Sequence, residues 1–194
     1  MSEQIEIEFK NILTKSEYEM FLKEFNISGD QIFTQVNYYF DTPYFDLKNA
    51  SAALRIRKKA KGYELTLKQP QQLGILETTQ ALKEGEFISA IESNKLPIGI
   101  VHSKITKLGI TYSHIEHFGS LTTKRVEIPY RNGLLVFDHS YYLGKEDYEV
   151  EYEVENYEDG YNYFLELLTR KNIPNRKTDN KIHRFYQQKY ASNK

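Results

Sequence analysis

The sequence predicts an α+β fold in which antiparallel sheet dominates. Three observations carry this prediction. Segments of alternating apolar and polar residues, the period of a half-buried strand, recur along the 194 residues. Short Gly- and Asn-containing turns of the kind that join hairpins separate several of them. Helical periodicity is confined to stretches between and after these segments. The hairpin signals argue against a doubly wound parallel sheet.

Taken in order, Ile5 to Leu13 alternates, with Ile5, Ile7 and Phe9 on one face and Glu6, Glu8 and Lys10 on the other. Thr14-Lys15-Ser16-Glu17 matches a capping box, and the spacing of Tyr18, Phe21, Leu22 and Phe25 predicts a helix from about Lys15 to Phe25. Gln31 to Phe40 is β-rich and ends at the turn Asp41-Thr42-Pro43. Ala53 to Lys59 and Tyr63 to Gln69 are strands joined through Lys61-Gly62, and Ile75 to Leu82 is the next strand. Between roughly Glu84 and Leu108 the pattern is helical, interrupted by Pro97 and Gly99. His114 to Arg131 returns to strand and Asn132-Gly133 is a hairpin turn. Leu134 to Leu143 and Tyr148 to Glu155 complete the strands. Tyr157 to Lys171 and Thr178 to roughly Ala191 read as helices on either side of Pro174. The length suits one domain, residues 1–194, that includes the C-terminal helices from about residue 157.

The 26 basic and 27 acidic residues nearly cancel, so global charge gives no case for nucleic acid. Cysteine is absent, which excludes a disulfide scaffold, thiolate metal ligands and a cysteine nucleophile. No apolar run reaches membrane-spanning length, and Met1-Ser2-Glu3-Gln4 lacks the basic and apolar regions of a secretory signal. A cytoplasmic location is the expectation. Gly-rich phosphate loops and nucleophile-elbow sequences are also missing.

The chemistry lies in the charged strand faces. Arg55 and Arg57 share a face, as do Glu64, Thr66 and Lys68, and Arg125 and Glu127. Glu149, Glu151, Glu153 and Glu155 align along one strand, where like charges repel unless cations neutralise them. Carboxylates suit hard divalent cations, and arginine and lysine suit polyphosphate. Taken together these groups suit metal-assisted phosphoanhydride hydrolysis. A water-facing sheet surface produces the same alternation, and for any single strand that plainer explanation is favoured. The five histidines form no metal-ligand spacing. The basic cluster Arg170, Lys171, Arg176, Lys177, Lys181 and Arg184 is compatible with a solvated helix surface.

Seven short motifs, in order and over nearly the whole chain, resemble the CYTH domain, or triphosphate tunnel metalloenzyme, family. Glu6-Ile7-Glu8-Phe9-Lys10 is similar to its N-terminal Glu-x-Glu-x-Lys signature. Tyr39-Phe40-Asp41-Thr42-Pro43, Leu54-Arg55-Ile56-Arg57, Leu65-Thr66-Leu67-Lys68, Arg125-Val126-Glu127 and Glu149-Val150-Glu151-Tyr152-Glu153 are similar to later strands, and Asn180-Lys181 to a C-terminal element. The resemblance implies an eight-stranded closed barrel, open as a tunnel, that holds a triphosphate-bearing small molecule with Mg²⁺ or Mn²⁺. It implies phosphate binding by Lys10, Arg55, Arg57, Lys68, Arg125 and Lys181. It implies metal binding by Glu6, Glu8, Glu149, Glu151 and Glu153, with Glu6, Glu8 and Lys10 as the catalytic trio. Glu77, Glu127, Asp138 and Lys177 are secondary candidates, and Asp138 shares its strand face with Leu134 and Val136. The implied activity is a metal-dependent triphosphatase. Adenylate cyclase and a non-catalytic polyphosphate or nucleotide sensor are the alternatives, with nucleic acid disfavoured as a partner.

Overall fold

The computed structural model describes residues 2–59, 62–176 and 178–191. Its strands are β1 (Ser2–Leu13), β2 (Phe33–Asp41), β3 (Ala53–Lys59), β4 (Gly62–Pro70), β5 (Ile75–Leu82), β6 (Glu116–Tyr130), β7 (Gly133–Tyr142) and β8 (Lys145–Val154). Its helices are α1 (Lys15–Glu24), α2 (Asp46–Asn49), α3 (Glu84–Ser93), α4 (Ile100–Lys107), α5 (Tyr157–Arg170) and α6 (Lys181–Ala191). The strands close a barrel in the order β1-β5-β4-β3-β2-β6-β7-β8. The expected α+β architecture and barrel are therefore present. Two compact units divide the chain: Met1–Ile5 with Val36–Leu121, and Glu6–Gln35 with Thr122–Lys194.

In the first unit, Leu54 and Ile56 of β3 and Leu65 and Leu67 of β4 form one apolar face. Leu47 of α2, Ala90 of α3 and Val101 and Ile105 of α4 pack with them, all fully buried. The tripeptide Asp41-Thr42-Pro43 does more than turn the chain. Asp41 Oδ1 accepts from the backbone N–H of Thr42 at 2.8 Å and of Leu47 at 2.9 Å, and Oδ2 accepts from that of Lys48 at 3.1 Å. The Leu47 and Lys48 N–H groups are orphan donors of a short helix, α2, which the sequence pattern did not disclose. Of the Lys61-Gly62 hairpin, Lys61 lies outside the described residues. Gly62 opens β4 and pairs with Lys59.

In the second unit, α1 and α5 cover the outer face of β1 and β6 to β8. Phe21, Phe137, Val150, Tyr152, Leu167 and Leu168 form its core with Tyr18 and Phe164. The capping box at Thr14 is present, with Glu17 Oε2 accepting from the Thr14 N–H at 2.8 Å. Glu17 also receives both guanidinium arms of Arg176 at 2.8 Å, a planar fork on a carboxylate. Asn11, fully buried on the outward face of β1, donates to the Pro174 carbonyl at 3.2 Å and accepts from the Arg176 N–H. The chain is thereby fastened after α5, just before its charged C-terminal segment.

Two boundaries differ from the sequence expectation. The β6–β7 turn consists of Arg131 and Asn132, with Tyr130 opposite Gly133, so it sits one residue earlier than Asn132-Gly133. Arg131 takes the left-handed backbone (φ 51°). Gly133 is needed for a different reason: a Cβ there would lie 2.4 Å from the Glu153 carbonyl oxygen. Helix α6 begins at Lys181 rather than near Thr178; ahead of it, the Thr178 hydroxyl and the Asp179 carbonyl accept from the Arg184 side chain and Asn180 Oδ1 accepts from Lys10. Among the described residues no helix is long and apolar enough to cross a membrane.

The core makes a direct stability prediction. Phe21 is fully buried and its ring lies 5.1 Å from that of Phe137. Phe21→Ala is expected to cost about 3–5 kcal/mol of unfolding free energy in urea, as large-to-small aromatic truncations in packed cores do. A loss below about 1 kcal/mol would contradict the packing described.

Candidate active site

On β1, β3, β4, β6 and β8 charged residues lie on the face opposite the apolar one, which in a closed barrel is the inner face. In the first unit the register places Arg57 opposite Asn37, Arg55 opposite Tyr39 and Thr66, and Lys68 opposite Glu77. Arg57 is buried and its Nε donates to Asn37 Oδ1 at 2.7 Å. Lys68 Nζ lies 2.6 Å from Glu77 Oε1, and Arg55 Nη2 lies 3.7 Å from the same oxygen. Burial alone would raise the Glu77 carboxyl. The positive charges of Lys68 and Arg55 outweigh it and hold the group below the ordinary carboxylate range. Arg55 Nε is buried and has no hydrogen-bond partner among the described residues, and neither has the Thr66 hydroxyl. An orphaned buried guanidinium N–H is costly, and an incoming anion relieves that cost.

In the second unit a row of charges crosses three strands. Arg125 on β6 is opposite Asp138 on β7, and Asp138 is opposite Glu149 on β8. The Arg125 fork holds Asp138 through Nε at 2.8 Å and Nη2 at 2.6 Å, and Nη2 also reaches Glu151 at 2.8 Å. Lys181, the first residue of α6, places its ammonium 2.9 Å from Asp138, 2.9 Å from Glu149 and 2.5 Å from Glu151. Arg184, one turn on, meets Asp147 at 2.9 Å and Glu149 at 2.6 Å. Burial would push the Glu151 carboxyl up. Lys181 first, then Arg125 and Lys10, reverse that and hold it well below its usual range. Lys181 responds in mirror image: burial lowers its ammonium, but Asp138, Glu149 and Glu151 raise it well above the ordinary lysine value.

The far end of the same strand pair is short of cations. Lys10 is paired with Glu8 and donates to Asn180 Oδ1 at 2.6 Å. Glu8 stands directly opposite Glu153 in the β1–β8 register. Desolvation, together with the negative charges of Glu6, Glu151 and Glu8, outweighs Arg125 and pushes the Glu153 carboxyl from 4.5 up to about 7. Among the described residues no group of three or more histidine, aspartate or glutamate side chains is gathered in metal-ligating geometry. The donors available, glutamate oxygens under mutual repulsion, are nevertheless those a hard divalent cation takes.

The structure thus groups the expected phosphate ligands Arg55, Arg57 and Lys68 in one unit and Lys10, Arg125 and Lys181 in the other. Glu77 and Asp138, secondary in the sequence, are carboxylate partners of these cations, and Glu127 lies 3.6 Å from Arg125. Lys177 lies outside the described residues. Arg184 was grouped with solvated basic residues, yet its side chain is only 12% exposed and clamped to β8. A cavity of 860 Å³ bounded by Lys95, His102 and Tyr112 contains none of the residues expected from the sequence.

The CYTH domain model matches residues 4–186. A protein of Bacillus subtilis (strain 168) named "Putative triphosphatase YjbK" is 46% identical over 192 residues, which is 99% of this chain and 100% of that protein. Among solved structures, a Bacillus halodurans protein described as "a putative adenylate cyclase" is 41% identical with a TM-score of 0.92, over 96% of this chain and 100% of that one. A Hippeastrum protein, HpAC1, described as having a dominant triphosphatase activity, is 22% identical. It superposes with a TM-score of 0.76 over 94% of this chain and 96% of its own, which extends the likeness of fold. The chain belongs to the CYTH domain family.

Proposed function

We propose that this protein hydrolyses the phosphoanhydride of a triphosphate-bearing small molecule with the help of Mg²⁺ or Mn²⁺. One observation carries the proposal. Arg55, Arg57 and Lys68 concentrate positive charge on one face of the neighbouring strands β3 and β4, and a buried Arg55 N–H there has no acceptor among the described residues. A chain of phosphates matches that face in charge and in hydrogen-bonding capacity. The 46% identical relative named as a triphosphatase supports the same reading.

Each group then has a role. Arg55 and Arg57 bind phosphate oxygens through their forks, and Lys68 acts as a point charge once a phosphate competes with Glu77. In the second unit, Lys10, Arg125 and Lys181 are cations of the same kind, each now held by carboxylate oxygens that a phosphate oxygen can replace. Of the five glutamates that the resemblance assigns to metal, Glu153, whose carboxyl is raised by burial and by the charges of Glu6, Glu151 and Glu8, suits that role best, while Glu149 and Glu151 already neutralise Lys181, Arg125 and Arg184. The bound cation would neutralise phosphate charge and polarise water. Residues that only position and neutralise are sufficient for phosphoryl transfer to water, whose transition state needs little covalent help.

Phosphate release from inorganic triphosphate, ATP and thiamine triphosphate, with Mg²⁺, Mn²⁺ or EDTA, tests the proposal. Release that depends on metal is expected, with Arg57→Ala and Glu153→Gln each lowering kcat/KM on the order of 100-fold. Release that persists in excess EDTA removes the metal from the account. Cyclic AMP with pyrophosphate from ATP replaces hydrolysis by a cyclase reaction. Tight triphosphate binding without turnover under any metal leaves a sensor.

Glu153 gives a second prediction that needs no turnover. Its folded-state value of about 7 lies above its ordinary 4.5, so between those pH values the folded protein binds more protons than the unfolded chain. Stability therefore falls as pH rises through that window. Glu153→Gln is expected to flatten this fall and raise the Tm at pH 8. Mn²⁺ is expected to raise the wild-type Tm more at pH 8 than at pH 6, because the cation binds the ionised carboxylate. Equal Mn²⁺ shifts at both pH values would separate Glu153 from the cation site.

A further inference from the structure

We infer that Arg184 is a positioning residue that acts through Glu149 to set the Lys181 ammonium for phosphate binding. The inference rests on the triphosphate reading and adds a residue to it.

Lys181 and Arg184 are three apart on α6 and so lie on one side of the helix. They converge on one oxygen: Glu149 Oε2 lies 2.9 Å from the Lys181 ammonium and accepts from Arg184 Nη2 at 2.6 Å. Glu149 is fully buried, and its other oxygen, Oε1, has no hydrogen-bond partner among the described residues. The remaining arms of the Arg184 guanidinium are also engaged. Nε meets Asp147 Oδ2 at 2.9 Å, while Nη1 donates to the Asp179 carbonyl at 2.5 Å and to the Thr178 hydroxyl at 3.1 Å. The guanidinium therefore fixes the carboxylate that holds Lys181 and also the backbone two residues before Lys181.

Two consequences follow. The charge that Arg184 lends Glu149 weakens the hold of Glu149 on Lys181, so the ammonium can exchange a carboxylate for a phosphate oxygen. The tie to Asp179 keeps the start of α6 in register with β8. Without Arg184, the buried Glu149 carboxylate is left to Lys181 and the ammonium is gripped more firmly. A merely structural role for Arg184 predicts lower stability. It does not predict an effect that needs Lys181 to be present.

A double-mutant cycle on the full chain distinguishes these. Arg184→Gln and Lys181→Ala are each expected to lower kcat/KM for inorganic triphosphate at least about tenfold, and the double variant to be no worse than Lys181→Ala within about twofold. Asp147→Asn, a milder change at the same guanidinium, is expected to lose a few-fold in wild-type background and nothing further with Lys181→Ala. It carries the cycle should Arg184→Gln fail to fold. Losses that multiply overturn the inference while leaving the triphosphate reading intact. Absence of both turnover and triphosphate binding in the wild type overturns that reading instead. A turnover-free readout remains in that case. Acetylation of Lys181 by acetic anhydride, followed by mass spectrometry, is expected to slow severalfold in Arg184→Gln, and an unchanged or faster rate overturns the inference by itself.

Discussion

Three carboxylates on two neighbouring strands, Asp138, Glu149 and Glu151, converge on a single ammonium, that of Lys181. Taking ions of this kind out of water costs several kcal/mol each, and mutual attraction offsets that only when the geometry is good and the remaining hydrogen-bonding capacity is used. The second unit is arranged to meet that condition. The Arg125 fork saturates Asp138, Arg184 shares Glu149, and the segment that delivers Lys181 is tied down by Asn11, Arg176 and Glu17. An apolar filling of the same volume would stabilise the fold as well or better. Buried charge retained at such cost points to chemistry.

The cations are unevenly distributed along β8. At Glu149 and Glu151 the protein supplies its own positive charges. At Glu153, opposite Glu8, the supply runs short and the carboxyl is driven up toward neutrality. In the first unit the imbalance is reversed, with Arg55 and Lys68 sharing one carboxylate oxygen of Glu77 and an Arg55 N–H left over. A surplus of cations suits a polyphosphate, and a surplus of carboxylates suits a divalent metal.

Much of this was legible in the sequence because strand alternation has a period of two and the charges keep to it. Arg55 and Arg57, the glutamates of β8, and the trio of β1 all lie opposite an apolar face, as their spacing requires. What could not be read was set by register. Placing the β6–β7 turn one residue late shifts every cross-strand partner by two, which hides the row Arg125, Asp138 and Glu149. Asp138 looked out of place beside Leu134 and Val136 because its partners are on other strands. Arg184 looked like solvated helix surface because its acidic neighbours, Asp147 and Glu149, are more than thirty residues away in the chain. Lys181 was named only through the family's C-terminal element, since nothing local marks it as buried.

The proposed function requires that the protein's own cations occupy one end of β8 and leave the other for metal. Anomalous diffraction at the manganese edge, from crystals grown with Mn²⁺ and inorganic triphosphate at pH 8, tests this most directly. The account predicts a manganese peak bonded to carboxylate oxygens from the set Glu6, Glu8 and Glu153, with Lys181 and Arg184 still on Glu149. A peak coordinated by Glu149 and Glu151 with Lys181 displaced, or triphosphate bound with no manganese beside it, would contradict it.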